Sequence, residues 1–403
     1  MKVVEQPALL PALNPVEAQY VALPDADLSS QEEEAISPSI HVSEVRARAE
    51  FMRLAPEWDT LVRETRDEPF YRHEFIRTWV DNFAPRARLR VLLARDGGGK
   101  LVAALPLLEE RGRMLGAPVR RLISTSNDHS CRFDLPARDG EAAGRVFFEH
   151  LAADKSWDVL CLTDVPEGGN AGHLFRAAER AGYPVQAWES LRSPYIKLPA
   201  SGEEMQARLP SKFRANLRRR RRKLEEKGCV TVECVTGGLE LQERLEEGYA
   251  LERSGWKVAG GTAISQSAQT WGFYSELARA AAYDGYLSLY FMQVDGEPVA
   301  FQYSFAYGEK YYLLKPAYSE DYGECSPGQL LMDEVLQDCI RKGVREFDFL
   351  GPDMVWKRDW TDDTRPHTWL YIFSDSAYGR MLHNARFRWI KLAKGLITRW
   401  RKQ

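Results

Sequence analysis

Ser326-Pro327-Gly328-Gln329 is the stretch of this chain best suited to hold an anion. It opens a segment in which Met332, Val335, Leu336, Cys339 and Ile340 recur at helical spacing, and Gly343 closes it. Serine at the N-cap, proline at the first helical position and glutamine at the third predict a capping box. Capping accounts for Ser326 and Pro327 but not for Gly328, since glycine inside a helix costs about 1 kcal/mol against alanine. A glycine there lets an oxyanion approach the free N–H groups at the positive end of the helix dipole. The residues therefore read either as a phosphate site or as the start of a well-capped core helix.

Further candidates lie elsewhere in the chain. Asp348 sits on a short predicted strand, EFDFL, after that helix, and carboxyl ends of such strands line ligand clefts. It is a general base, an acceptor-binding carboxylate, or an aspartate that caps a turn. His129, in SNDHSCRFD, is the histidine inside a motif, and an imidazole titrating near neutrality suits proton transfer or a structural hydrogen bond. Trp256-Lys257 and Trp356-Lys357 pair an aromatic face with a cation, a combination that packs against a sugar or acyl group, or anchors a core edge. Tyr303 and Lys315 alternate with apolar residues on predicted strands. The six cysteines are scattered, without a CxxC pair or a histidine cluster, and read as reduced thiols of a cytosolic protein. No HExxH, Walker loop or nucleophile elbow occurs, so no metal site is expected.

The elements that must position these residues come as an internal repeat. RVLLARDGGGKLVAALPLL and LSLYFMQVDGEPVAFQYSFA each read as strand, turn, strand, with Val102-Ala103 and Val299-Ala300 in equivalent places. Each hairpin is followed by a helix, 141–153 or 328–342, and then by a short strand, WDVLCL or EFDFL, with Asp158 and Asp348 at matching points. Such duplication predicts an α/β (α+β) fold of two halves, with mixed, mostly antiparallel sheets flanked by helices. A predicted helix over 209–228, from N-cap Ser211 to Gly228, joins the halves. In the first half the corresponding helix starts at PARDGEAAG, where Asp139 and Glu141 would repel a phosphate.

The 403 residues suffice for two domains, and 44% hydrophobic with 28% charged residues is ordinary for a folded protein. A net charge of −3 excludes a general basic field for nucleic acid, and no apolar run is long enough to span a membrane. Residues 1–40 hold five prolines, seven acidic residues and one lysine, and read as a disordered tail. The expected division is a tail over 1–40, a first half over 41–205, a second half over 206–378 carrying the anion site, and a basic amphipathic helix over 379–403.

Taken in order, NDHSCRFDL, LPSKFRANLRRRRRKLEEKG, SGWK, CSPGQLL, FDFLG and WKRDW resemble the CelD-like acetyltransferases of cellulose and exopolysaccharide biosynthesis. That family belongs to the GNAT superfamily and is similar to the FemAB-like tandem GNAT proteins. The resemblance spans roughly residues 45–375. It implies tandem GNAT halves and an acetyl-CoA or other acyl-CoA donor, its pyrophosphate on Ser326, Pro327, Gly328 and Gln329. Pro327 itself has no N–H to offer. With no nucleophile elbow in the chain, direct transfer is favoured over a covalent acyl-enzyme, to a saccharide, polysaccharide precursor or amino-acid-like acceptor, on nitrogen or oxygen. Asp348 and His129 are then candidate bases, and Tyr303 a candidate acid for the leaving thiolate. Trp256, Lys257, Lys315, Trp356 and Lys357 are expected at the substrate. Of the usual GNAT phosphate loop, (Gln/Arg)-x-x-Gly-x-(Gly/Ala), only the last glycine is matched, by Gly328.

Two basic stretches add partners. Arg218–Arg222 wrap around their predicted helix and are a solvated face, a hold on an anionic substrate or the CoA 3′-phosphate, or an RNA site. Residues 386–401 combine Trp389, Leu392, Leu396 and Trp400 with six basic residues, which suits contact with an inner-membrane surface or packing on the protein itself. Two other readings stand beside the acyl-CoA one: a FemAB-type aminoacyl transferase using charged tRNA, and a non-catalytic polysaccharide-synthesis assembly factor. A cytoplasmic place, free or peripheral to the inner membrane, is expected.

Overall fold

The structure, a computed structural model, describes residues 40–254, 264 and 267–389. The expected tail, most of the expected basic helix, Trp256 and Lys257 lie outside them. The described residues fall into two units: 40–80, 84–190 and 366–389 in the first, 81–83 and 191–365 in the second.

In the first unit the expected hairpin is β2 (Arg88–Arg95) and β3 (Leu101–Met114), with Arg90 opposite Leu107. Strand β1 (His41–Val45) pairs with β2, and helices α1 (Arg48–Arg53), α2 (Ala55–Thr65) and α3 (His73–Phe83) lie between them in sequence. Strand β4 (Ala117–Ser124) returns antiparallel to β3. Helix α4 (Gly140–Ala153) then crosses over to β5 (Val159–Pro166), which runs parallel to β4. Strand β12 (Thr364–Phe373) closes this side antiparallel to β5. Leu105, Leu107 and Leu160 pack under Phe147 and Leu151 of α4 and Phe175 of α5 (Ala171–Arg180).

The second unit repeats the plan. Strands β8 (Leu287–Val294) and β9 (Glu297–Tyr307) form its hairpin, with β7 (Val230–Val235) on the outer edge. The hairpin turn, Asp295-Gly296, has φ of 51° and 87°, the paired positive values of a two-residue type I′ turn. Strand β10 (Lys310–Tyr318), helix α10 (Pro327–Arg341) and β11 (Glu346–Asp348) repeat the parallel crossover. Strand β6 (Val185–Lys197) pairs antiparallel with β11. Helices α8 (Leu241–Ser254) and α9 (Ala268–Tyr283) precede the hairpin.

Two expectations change. The helix expected over 209–228 is α7 (Ser211–Glu225), and a separate short helix, α6 (Gly202–Arg208), precedes it. Pro210 occupies the N-cap position of α7 and holds Leu209 extended at ψ 144°, so Ser211 is the first helical residue and not the cap. The second concerns the repeat. The Asp158 N–H donates to the Arg120 carbonyl (2.9 Å) as the Arg345 N–H does to Glu309 (2.8 Å), so Asp158 matches Arg345 and not Asp348. Cys161 stands in the place of Asp348. Buried parallel strands read as continuous apolar runs, which leave a shift of this size invisible in sequence.

Candidate functional site

Strands β10 and β11 pair only over Lys310–Tyr312 and Glu346–Asp348. Beyond that point the chain leaves β11 through Leu350 and Gly351, with φ of 50° and 57°. A leucine in this left-handed region costs roughly 1–2 kcal/mol. The Leu350 N–H offsets part of that cost by donating to Asp348 Oδ1 at 2.9 Å. On β10 the register shifts between Leu313 and Lys315, and Pro316 removes a ladder donor. The strands part, and a cavity of about 390 Å³ lies between the end of β10 and the start of α10. Tyr318, Ser326, Gly328, Gln329, Met332 and Trp356 are among its walls.

The helix start differs from the expected capping box. Ser326 is left-handed (φ 47°, ψ 57°), and its side chain caps nothing; the hydroxyl turns back to the Gly323 carbonyl at 3.4 Å. The Gln329 carboxamide reaches forward instead, accepting from Trp360 Nε1 (2.6 Å) and donating to the Trp356 carbonyl (3.4 Å). It thereby ties the helix to the segment after β11. Pro327 is buried and lacks an N–H, while the amides of Gln329 and Leu330 return to the Ser326 carbonyl (3.0 and 3.3 Å). That leaves the Gly328 amide as the first-turn donor without an intrahelical acceptor. A Cβ on Gly328 would stand 3.3 Å from the Tyr318 ring, so glycine also keeps this wall open. Cys325 is fully buried beside it.

The structure thus brings Ser326, Gly328, Gln329 and Trp356 together on one cavity. The remaining candidates of this unit are elsewhere. Asp348 and Tyr303 point to the sheet face opposite α10, as alternation with Phe347 and Gln302 requires. Asp348 is 1% exposed and binds Arg365 Nη1 through Oδ2 at 3.1 Å. Arg365 also pairs with Glu346 (3.2 Å) and stacks on Tyr195. Tyr303 donates its hydroxyl to the Tyr274 carbonyl (2.9 Å), and burial pushes its ionisation well above the usual phenol range. Lys315 is its cross-strand partner, with the ammonium 5.5 Å from the Tyr274 ring. Lys357, expected to face substrate, turns inward: its buried ammonium donates to the carbonyls of Leu350 and Pro352 and so holds the left-handed turn. Turn carbonyls that face inward need a donor, and a long side chain five and seven residues away supplies one.

In the first unit the NDHSCRFDL motif is a buried ion network. Arg132 and Glu68 pair at 2.8 Å, both buried. Asp134 takes Arg66 (3.0 Å) and the amides of Asn170 and Ala171 (2.9 and 2.8 Å) at the start of α5. Burial still pushes the Asp134 carboxyl above the ordinary range. His129 is half-buried in the preceding loop, its amide bonded to Asn127 Oδ1 at 3.0 Å. Sequence reasoning missed Pro316, Ala317, Tyr318, Met332 and Met354 as cavity walls. The one signal available was Pro316, since proline inside a strand marks an edge that lacks a partner.

Residues 211–358 match the family described as acetyltransferase (GNAT) domain, which covers the cavity and most of the second unit. No curated protein matches the chain. Among solved structures, FemX is similar over 84% of this chain and 100% of its own, at 12% identity and a TM-score of 0.54. The C-terminal domain assigned to a lysylphosphatidylglycerol synthetase of Agrobacterium fabrum is similar over 84% and 96%, at 13% identity and a TM-score of 0.50. A protein of unknown function from Bacteroides thetaiotaomicron VPI-5482 is similar over 83% and 100%, at 11% identity and a TM-score of 0.50. At these identities the likeness is one of fold: two α/β halves of the GNAT type. The cavity within the matched residues is built in part from the helix start that the sequence singles out. Among the described residues no cluster of His, Cys, Asp or Glu could hold a metal, and no helix is long and apolar enough to cross a membrane.

Proposed function

We propose that this GNAT-fold acyltransferase takes an acyl-CoA donor in the cavity between β10 and α10 and passes the acyl group directly to a saccharide or amino-acid-like acceptor. The observation that carries this reading is the gap itself. It joins an unpaired stretch of β10 to a helix start whose free amide belongs to a glycine. An extended arm bearing amides can pair with the open side of β10 as an added strand. A pyrophosphate suits the Gly328 amide and the helix dipole. Arg220, whose charge reaches Asp359 beside Gln329, suits a further phosphate. When bound, acyl-CoA supplies the acyl group as an activated thioester. We assign Trp356 to the wall of the acyl path, and Asp348 to orienting groups on the opposite sheet face, its carboxylate held by Arg365. The CelD-like resemblance favours a saccharide acceptor.

Thermal unfolding with CoA, acetyl-CoA and longer acyl-CoAs tests the donor. A ligand at a hundred times its dissociation constant adds about 2.7 kcal/mol. No shift with any of them, in a folded protein, removes the acyl-CoA reading. A second reading, an aminoacyl-tRNA donor, draws support from α7: Arg218, Arg219 and Arg222 make no ion pair among the described residues. It predicts salt-sensitive tRNA binding without CoA affinity.

A further inference from the structure

We propose that the first unit carries a second anion site, a cup for a soluble, multiply charged oxyanion that bears two or more phosphate or carboxylate groups. The cup is a cavity of about 840 Å³ on the α4 side of the sheet, beyond the C-terminal end of that helix. Among the described residues, seven arginines and four carboxylates line it.

Its charges form two layers. The inner layer neutralises itself. Arg90, 1% exposed, pairs with Glu44 and Asp154, each at 2.7 Å. Arg46 takes Glu44 and Glu109 at 2.7 Å, and Arg121 takes Glu110 at 2.6 Å. Arg120 is held by Asp158 at 2.7 Å. Every carboxylate lining the cup is therefore bound to an inner arginine. The outer layer has none left. The guanidinium groups of Arg86, Arg88 and Arg111 form no ion pair or hydrogen bond among the described residues.

Strand register sets Arg111 against a like charge and Arg88 against a carboxylate that is already bound. Arg111 stands directly opposite Arg120 across β3 and β4, and like charges in such pairs are destabilising. Arg88 stands opposite Glu109, whose carboxylate Arg46 already binds. Uncompensated guanidinium forks fit phosphate or carboxylate groups bidentately. The volume lies within the range of small-molecule sites, and the charged walls select a hydrophilic ligand.

Calorimetric titration of the full chain at low ionic strength tests the site. The probes are pyrophosphate and trigalacturonate, with uncharged maltotriose as control. One or both anions should bind the wild type and weaken with added salt, and the tighter one tells phosphate from carboxylate. Arg88→Gln and Arg111→Gln should each cost about tenfold in affinity, as loss of a charge-assisted bond does. Both side chains are exposed, so the variants should unfold at the wild-type temperature. Gly328→Asp, which alters the other site, should leave this binding unchanged. Failure of both anions to bind, equal binding by the doubly substituted variant, or loss confined to Gly328→Asp would each overturn the proposal.

Discussion

Replacing Gly328 by alanine separates the two reasons a glycine can stand there. The new Cβ would lie 3.3 Å from Tyr318 Cδ1, a tight contact that the aromatic ring can relieve by a few tenths of an ångström. Alanine in a helix gains up to about 1 kcal/mol over glycine. The two effects oppose each other, so the melting temperature of the free protein should scarcely move. Ligand binding should change much more. The methyl group narrows the cavity at the one free first-turn amide, and loss of a hydrogen bond from that amide to a phosphate costs about 2 kcal/mol. That is roughly thirtyfold in affinity. At a CoA concentration that gives the wild type about 2.7 kcal/mol of stabilisation, the variant should gain only about 0.9 kcal/mol. Thermal unfolding with and without CoA, backed by calorimetric titration, reads both numbers. Wild-type CoA affinity in Gly328→Ala would refute the placement of a phosphate on this amide. Loss of stability without ligand would show that the glycine serves packing.

Three further outcomes follow from buried charges. Lys357→Met should cost about 2–3 kcal/mol in denaturant unfolding, because two turn carbonyls lose their donor; unchanged stability with a raised KM would put Lys357 at the substrate instead. Arg132→Leu should cost about 3–5 kcal/mol by stranding buried Glu68, and Glu68→Leu added to it should recover much of the loss; additive losses would argue against the pair. Burial raises the Asp164 carboxyl to about 6, against hydrogen bonds from Trp369 and Ser190. The folded state therefore holds this proton more tightly than the unfolded one. Its contribution is complete below about pH 4 and is lost, on the order of 3 kcal/mol, as pH rises toward 6. Asp164 is left-handed (φ 58°), which asparagine tolerates, so Asp164→Asn should flatten the stability slope between pH 4 and 6, and an unchanged slope would assign it to another group.

What could be read beforehand was whatever depends on local pattern. The Asp-Gly turn, the strands around it and the stripe from Met332 to Ile340 are each written in a few neighbouring residues. The position of α10 was legible to within a residue for the same reason. Side-chain direction was not. Ser326 and Gln329 have the spacing of a capping box, yet the left-handed backbone at Ser326 breaks it, and Gln329 serves Trp360, thirty-one residues on. Lys357 has the look of a surface lysine beside a tryptophan, and only the fold brings Leu350 and Pro352 under its ammonium. The cavity walls from β10 were illegible because they line a gap, and a gap is set by where two strands stop pairing.

That stopping point also separates the two halves. In the first unit β4 and β5 pair over Arg121–Ile123 and Val159–Cys161 and then part, as β10 and β11 do. There the chain inserts residues 125–135. The Phe133 N–H donates to the Asp164 carbonyl at 3.1 Å, and Phe133 and Leu135 pack beside Leu122 and Leu160. The segment rejoins the sheet with the Arg138 N–H on Val102 (3.0 Å), the counterpart of Ser319 on Val299 (2.9 Å) in the second unit. Between Tyr312 and Ser319 there is no such insertion, since β10 runs straight on. The first unit thus fills with its own side chains the gap that the second leaves as a cavity. Its helix start differs in the same sense: Asp139 caps α4 by accepting from the Ala142 N–H at 3.0 Å, which sets a carboxylate where the second unit offers a glycine amide. The NDHSCRFDL motif, whose histidine invites a catalytic reading, belongs to that filling. Its buried Arg132 and Asp134 tie the plug to Glu68, Arg66 and the start of α5. The same place in the fold thus holds packed side chains in one unit and a cavity in the other.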